Sequence, residues 1–301
     1  MPIPIFGAML ALSCAAQTAP SPAQDAAALV RRAVAKRLAE DATHKPLEFA
    51  FYKKDDRRSF VQQIVETQQG DVAMLVSVNG APLTPVARQN EMNRLNTLAA
   101  NPTLQQHRQI REQADQARID KLLHMLPDAF LYHYDQTVPC NVNALPAISL
   151  LGPSSAATEA GSAPDSQCYH LTFTPNPDWD APDMESRVLR GMAGDVLIEV
   201  SDERLHQLNA HLIADVDFGW GIVGRLNKGG TIFLEQDRIG PNDWELTHMR
   251  MNLTGRALMV KPLSFRMNEE ESRFAQVPSM PYTEAIRMLE SQASWAQHHP
   301  E

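Results

Sequence analysis

Six consecutive segments with strand character, between residues 194 and 267, constrain the fold of this chain more than any other feature. Only a few residues separate each segment from the next, and these connections contain Gly, Asn or Asp, which tolerate the positive φ angles of tight turns. The segments cover residues 196–200, 204–213, 218–226, 231–238, 244–253 and 256–267. Because successive antiparallel strands twist and curl, we predict one sheet that bends into an open barrel.

Helical and strand patterns alternate before and after this run. Strand patterns cover residues 47–53, 59–68, 71–78, 130–138 and 168–174, and helical patterns cover 26–42 and 283–297. Residues 85–125 also have helical spacing of their apolar positions. Asn101-Pro102 divides this stretch into two helices, because proline cannot continue the helix before it.

The combined pattern predicts an α+β fold that is mainly antiparallel β. We expect a curled open (unclosed) β-barrel of about eleven strands, a number that a flat sheet rarely reaches, with helices covering the concave side. Residues 1–25 are predicted to be a signal peptide and linker. Residues 26–298 are predicted to form a single half-barrel domain, with a helical insertion at 85–125 and a flexible loop at 141–167.

The apolar stretch at residues 3–16 indicates export. It is too short to cross a bilayer as a helix, and it ends in small residues, as secretory signals do. A linker of sequence TAPSPAQ follows it. A buried helix is the alternative interpretation. We predict an exported protein, periplasmic or associated with the outer membrane, with no transmembrane helix in the mature chain.

Cys14 lies where a lipoprotein signal places its acylated cysteine. Lipidation of Cys14 is one hypothesis, and simple cleavage after Ala15 is the other. The remaining two cysteines, Cys140 and Cys168, are predicted to form a disulfide, as pairs of cysteines do in exported proteins. Two free thiols in a cytosolic protein are the alternative.

Charge and motifs exclude several classes of function. The net charge of −9 argues against a nucleic-acid partner, which requires a basic surface. The sequence contains no HExxH, no paired CxxC and no GxSxG. Gly219, Gly221 and Gly224 match GxGxxG, but they lie inside the predicted meander, so we interpret them as a bend in a strand. Acidic residues at 178–185 could act as acid and base in a hydrolase, yet solvated positions explain them equally well.

Bulky apolar residues in the run predict a cavity on the concave side of the sheet. Methionine suits such a surface because it adapts to irregular apolar ligands. A core filled by side chains is the alternative. The predicted lining residues are Phe218, Trp220, Ile222, Phe233, Trp244, Leu246, Met249 and Met251.

The order of a signal, an N-terminal helix, a curved antiparallel sheet and inserted helices resembles the lipoprotein-carrier superfamily of bacterial envelope proteins. This group includes the outer-membrane lipoprotein sorting and receptor proteins. The stretches DVDFGWGIVGRLNKGGTIFLEQ and GPNDWELTHMRMNLTGRALMVK also resemble a recurrent family of bacterial envelope proteins. The resemblance implies an unclosed barrel, covered by helices, that holds acyl chains.

The leading prediction is therefore a non-enzymatic cell-envelope protein that binds a lipid, acyl chain or other amphiphile in the concave face of a half-barrel. We expect no catalytic residue, no cofactor and no metal. The alternative is a protein–protein interaction module, a sensor or regulator in the envelope, without a bound ligand.

Overall fold

The strands predicted between residues 194 and 267 belong to one antiparallel sheet, which also includes the strands that precede them in the chain. A computed structural model describes residues 25–40, 44–143, 166–218, 224–241, 243–258 and 261–298. The elements in chain order are α1 (Ala26–Glu40), β1 (Leu47–Asp55), β2 (Ser59–Val65), β3 (Val72–Val78), β4 (Ala81–Pro82), α2 (Pro85–Ala99), α3 (Pro102–Ala129), β5 (Phe130–Pro139), β6 (Gln167–Pro175), β7 (Met192–Glu199), β8 (Leu205–Leu212), β9 (Val216–Phe218), β10 (Gly224–Leu226), β11 (Thr231–Arg238), β12 (Trp244–Ala257), β13 (Lys261–Gln276) and α4 (Tyr282–His298).

The strand order is β4-β3-β2-β1-β13-β12-β11-β8-β7-β6-β5, and the short strands β9 and β10 attach beside β12. The two ends of this order, β4 and β5, do not pair with each other, so the sheet stays open. The predicted α+β fold with a curled open barrel is confirmed, with 13 strands where the sequence indicated about eleven. The predicted signal peptide, linker and Cys14 lie outside the described residues.

The prediction of a single strand over residues 218–226 is wrong. β9 and β10 pair antiparallel, with Phe218 opposite Gly224 and Val216 opposite Leu226. This segment is therefore a hairpin rather than a bent strand. Residues 219–223, which include two of the three glycines that match GxGxxG, lie outside the described residues.

The prediction of a turn at Thr254-Gly255 is also wrong. β12 continues through both residues to Ala257, and β13 pairs with it down to Lys261. Gly255 is required for a different reason, because a Cβ atom here would lie 2.1 Å from the backbone oxygen of Arg225 in β10. Gly255 thus allows β10 to approach β12 closely, and the chain does not turn at this position.

Helices cover opposite faces of the sheet at its two ends. α1 packs on β6, β7 and β8 through a cluster that contains Leu29, Leu171 and Val196, and we call this side of the sheet the α1 face. α2 and α4 pack on β2 and β3 around Val65 and Met74. Side chains alternate between the two faces along each strand. When the pairings are followed from β8 through β11, β12, β13 and β1 to β2 and β3, Val65 and Met74 lie on the face opposite the α1 face.

Side chains from the first turns of α3 hold the turn between β2 and β3. The Gln105 side-chain amide donates to the backbone oxygen of Gln69 at 2.7 Å, and the Asp71 backbone N–H donates to Glu112 Oε2 at 3.1 Å. Gly70 lies between them with φ of +98°, and a Cβ atom there would lie 2.5 Å from Glu112 Oε2. A side chain at position 70 would therefore displace the Glu112 carboxylate, which accepts the hydrogen bond from the Asp71 N–H.

The predicted disulfide between Cys140 and Cys168 is present, with Cα atoms 5.0 Å apart. Both cysteines are buried and pack with Leu197. The bond ties the short helical turn after β5 to the start of β6, across most of the predicted flexible loop, whose residues 144–165 lie outside the described part of the chain. A disulfide of this kind is compatible with export to an oxidising compartment.

We expect Gly70→Ala to lower the free energy of unfolding by more than Gly229→Ala. Both glycines have positive φ, +98° and +87°, but no atom lies within 4 Å of a Cβ built at Gly229. Each substitution therefore carries a backbone cost of roughly 1–3 kcal/mol, and only Gly70→Ala adds crowding against α3. Urea unfolding of both variants measures the difference; equal losses would show that the α3 contact does not stabilise the turn.

We expect removal of the disulfide, as the variant with both Cys140→Ser and Cys168→Ser, to lower the free energy of unfolding by roughly 3–4 kcal/mol. The bond closes a loop with a sequence separation of 28 residues, and closure of a loop of that size restricts the unfolded chain by this amount. Urea unfolding of the variant should match that of the reduced wild-type protein. An unchanged midpoint after reduction would contradict the prediction.

Candidate functional site

A cleft of about 780 Å³ lies on the face of the sheet opposite α1. It is lined by five adjacent strands, β1, β13, β12, β11 and β8. The side chains of β8 and β11 that line the cleft alternate along each strand with those that face α1. We call this side of the central strands the cleft face. Its main lining residues are Lys54, Gln207, Asn209, Thr231, Phe233, Arg250, Asn252, Arg266 and Asn268.

Cations and amides dominate the lining. The Arg250 guanidinium lies over the Phe233 ring, 4.9 Å from its centroid, and Lys54 comes from β1. Arg266 makes a long ion pair with Asp56, at 3.9 Å between the exposed side chains. Lys54 and Arg250 have no carboxylate partner among the described residues. Asp55 and Asp56 also line the cleft, so its three cations and two carboxylates give one net positive charge in a chain whose net charge is −9.

A buried acidic cluster continues the cleft face where the cleft ends. Glu235 follows Phe233 by two positions on β11, His248 precedes Arg250 by two on β12, and Glu270 follows Asn268 by two on β13. The register pairs His248 with both Glu235 and Glu270, so the three side chains share one face. Glu235 Oε2 lies 3.2 Å from His248 Nδ1, and Glu270 Oε2 lies 3.9 Å from His248 Nε2.

A third carboxylate, Asp237, lies two positions after Glu235 on the same face of β11, beside a bulge in β12. Between Glu235 and Gln236 the register of β11 and β12 shifts, because β12 contains one extra residue, Thr247. The Thr247 hydroxyl donates to Asp237 Oδ2 at 2.8 Å. Glu235, Asp237 and His248 each contribute one potential metal-ligand atom, and these three atoms lie within 4.8 Å of one another.

The protonation of His248 follows its surroundings. Burial disfavours the charged imidazole, but Glu235, Glu270 and Asp237 together favour it more strongly. The pKa of His248 is therefore raised above its usual value of 6.5.

His206 connects this cluster to the disulfide. Its ring is almost fully buried, and its nitrogens face two backbone oxygens, that of Gln236 at 2.7 Å and that of Cys140 at 3.2 Å. Carbonyl oxygens only accept hydrogen bonds, so both bonds form together when each ring nitrogen carries a proton. Asp237 Oδ1, 3.8 Å from His206 Nδ1, supplies a nearby negative charge.

The predicted lining residues do not lie together. Phe233 and Met251 line the cleft, whereas Phe218 packs in the apolar cluster beneath α3. Trp244 is buried beside His206, with ring centroids 6.3 Å apart. Leu246 and Met249 are half-buried and do not line the cleft. Two further predicted positions, Trp220 and Ile222, lie outside the described residues.

Sequence reasoning missed the polar character of the cleft face. The signal is present in the alternation of β11, where polar Thr231, Glu235 and Asp237 share a face with Phe233, and of β12 from His248 to Asn252. The predicted lining residues are instead bulky and apolar, and most of them lie on the α1 face of these strands. A strand with one apolar and one polar face is common, so alternation alone does not identify a site.

Three of the acidic residues considered for hydrolysis are held in surface ion pairs. Asp183 lies 2.5 Å from Lys121 Nζ, and this ion pair, with the Ser186 backbone N–H, lowers the pKa of Asp183 to about 2. Asp180 pairs with Arg190, and Glu185 pairs with Arg118. A carboxylate with a lowered pKa is a weak general base, so this geometry does not favour the hydrolase hypothesis.

Comparisons with known proteins leave the chain without an assigned family. No model of a known protein family matches it, and no curated protein is similar to it at a significant level. The resemblance to the lipoprotein carriers stays a prediction. Among the described helices, none is both long and apolar enough to cross a membrane.

We expect His206→Ala to lower the free energy of unfolding by roughly 2–4 kcal/mol, because it removes a buried ring and its contacts with the backbone oxygens of Gln236 and Cys140. His211→Ala is the matched control. His211 lies on the same strand but is exposed, and such surface changes usually stay within about 0.5 kcal/mol. Thermal and urea unfolding measure both. Similar small losses for the two variants would show that the His206 hydrogen bonds do not stabilise the fold.

Proposed function

We propose that this chain is a non-enzymatic binding protein of the cell envelope that holds an anionic ligand in the cleft. One observation carries the proposal: Lys54 and Arg250 line the cleft of an acidic protein and have no carboxylate partner among the described residues. Such cations are available to a ligand. A guanidinium binds carboxylate and phosphate groups through paired hydrogen bonds.

The amides of the lining favour a ligand rich in oxygen atoms. Asn252 and Asn268 each offer side-chain amide donors and an acceptor at the cleft surface, and Asn209, which donates to Asp195, offers its amide oxygen. An acyl chain lying along this surface would remove water from these groups without replacing their hydrogen bonds, and that is unfavourable. For an amphiphile, the cleft therefore fits the anionic head group better than the chain.

The cellular location is part of the same proposal. The disulfide between Cys140 and Cys168 supports an oxidising compartment. We place the protein in the periplasm or at the outer membrane, as the apolar N-terminal stretch predicts.

A second candidate, the protein–protein interaction module, is favoured by exposed apolar side chains near the end of the hairpin formed by β12 and β13. Leu258 is 69% exposed and Phe265 is 50% exposed. Both belong to a hairpin of long strands, and clustered exposed apolar residues mark contact surfaces in other proteins.

Calorimetric titration with three probes tests the binding proposal. We expect phenyl phosphate and dodecyl phosphate to bind, and dodecyl maltoside, which has the same chain with a neutral head, not to bind. Arg250→Gln combined with Lys54→Gln should weaken phosphate binding by roughly a hundredfold or more, because each lost charged hydrogen bond contributes about 1.5–3 kcal/mol.

Arg287→Gln, a change at an exposed cation on α4, is the matched control and should leave binding unchanged. Binding of dodecyl maltoside that the double substitution does not affect would replace the proposal with acyl-chain binding. Failure of all three probes to bind would leave the interaction module as the candidate.

A further inference from the structure

The side chains of Glu235, Asp237 and His248 converge with the composition and spacing of a metal site. Each offers one ligand atom, and these atoms lie within 4.8 Å of one another. Ligands at about 2.1 Å from a tetrahedral Zn²⁺ ion are roughly 3.4 Å apart. The 3.2 Å distance from Glu235 Oε2 to His248 Nδ1 fits that separation.

The carboxylates of this cluster are almost completely buried. The Glu235 and Glu270 side chains are each only 4% exposed, and that of Asp237 is 13% exposed. Three buried or nearly buried carboxylates thus face two imidazoles, those of His248 and His206. Buried carboxylates require protons, paired cations or a metal ion.

His248 provides an independent observation that points to a ligand. Both of its ring nitrogens are shielded from solvent, and neither makes a hydrogen bond. Nδ1 lies close to Glu235, but the contact lacks the direction of a hydrogen bond. A buried imidazole normally satisfies its nitrogens, and a metal ion bound between the ring and the Glu235 and Asp237 carboxylates would satisfy one of them.

We propose that Glu235, Asp237 and His248 bind a divalent cation, with Glu270 as an adjacent carboxylate. One imidazole and two carboxylates suit Zn²⁺ or Mn²⁺ among the common metals. Three protein ligands leave a coordination position for water or another donor. The site does not depend on the anionic ligand proposed for the cleft, although both lie on the same face of the sheet.

The test uses full-length mature protein freed of metal by chelation, and titrates it separately with Zn²⁺ and Mn²⁺ in a calorimeter. We expect one ion per wild-type chain at micromolar concentrations or below, together with a higher Tm in the presence of the ion. Glu235→Gln and His248→Gln should each weaken binding at least a hundredfold and abolish the rise in Tm.

Glu269→Gln is the matched control, because Glu269 is next to Glu270 but pairs with Lys53 and Met249 on the α1 face. It should bind the ion as the wild type does. Circular dichroism of the metal-free variants shows whether they fold, and Asp237→Asn replaces any variant that does not. Absence of both ions from the wild-type protein, or equal binding by wild type and Glu235→Gln, would overturn the proposal.

Discussion

Pairing of β13 with strands on both sides is the interaction on which the rest of the structure depends. Its residues pair with β1 on one side and with β12 on the other, so the last strand of the chain joins the N-terminal hairpins to the C-terminal meander. Without this strand the sheet would separate into two parts. The cleft crosses this junction, since Lys54 comes from β1 while Phe233 and Arg250 come from the meander.

Local signals predicted the parts of the fold that depend on local chemistry. Asn101-Pro102 divides α2 from α3 as predicted, and the Asn101 side chain begins α3 by accepting a hydrogen bond from the Leu104 N–H. The wrong predictions concern residues whose local structure depends on a strand that is distant in sequence. Gly255 has the composition of a turn, but it lies in a strand because β10 approaches it closely, and no local pattern reports that neighbour.

The candidate site was harder to predict for a related reason. Glu235 and Asp237 share a face of β11 by simple alternation, but His248 and Glu270 join them only through the pairing of β11 with β12 and of β12 with β13. The bulge at Thr247 shifts the pairing of β11 with β12 by one residue and places the Thr247 hydroxyl beside Asp237. The acidic cluster thus depends on the register between strands, which periodicity within one strand does not reveal.

An open sheet exposes two edges, and these edges differ in how readily another chain could extend them. β4 contains only Ala81 and Pro82, and proline has no backbone N–H to offer to an incoming strand. β5, the opposite edge, runs over ten residues. Self-association through added strands is therefore blocked at one end of the barrel, and any such growth would begin along β5.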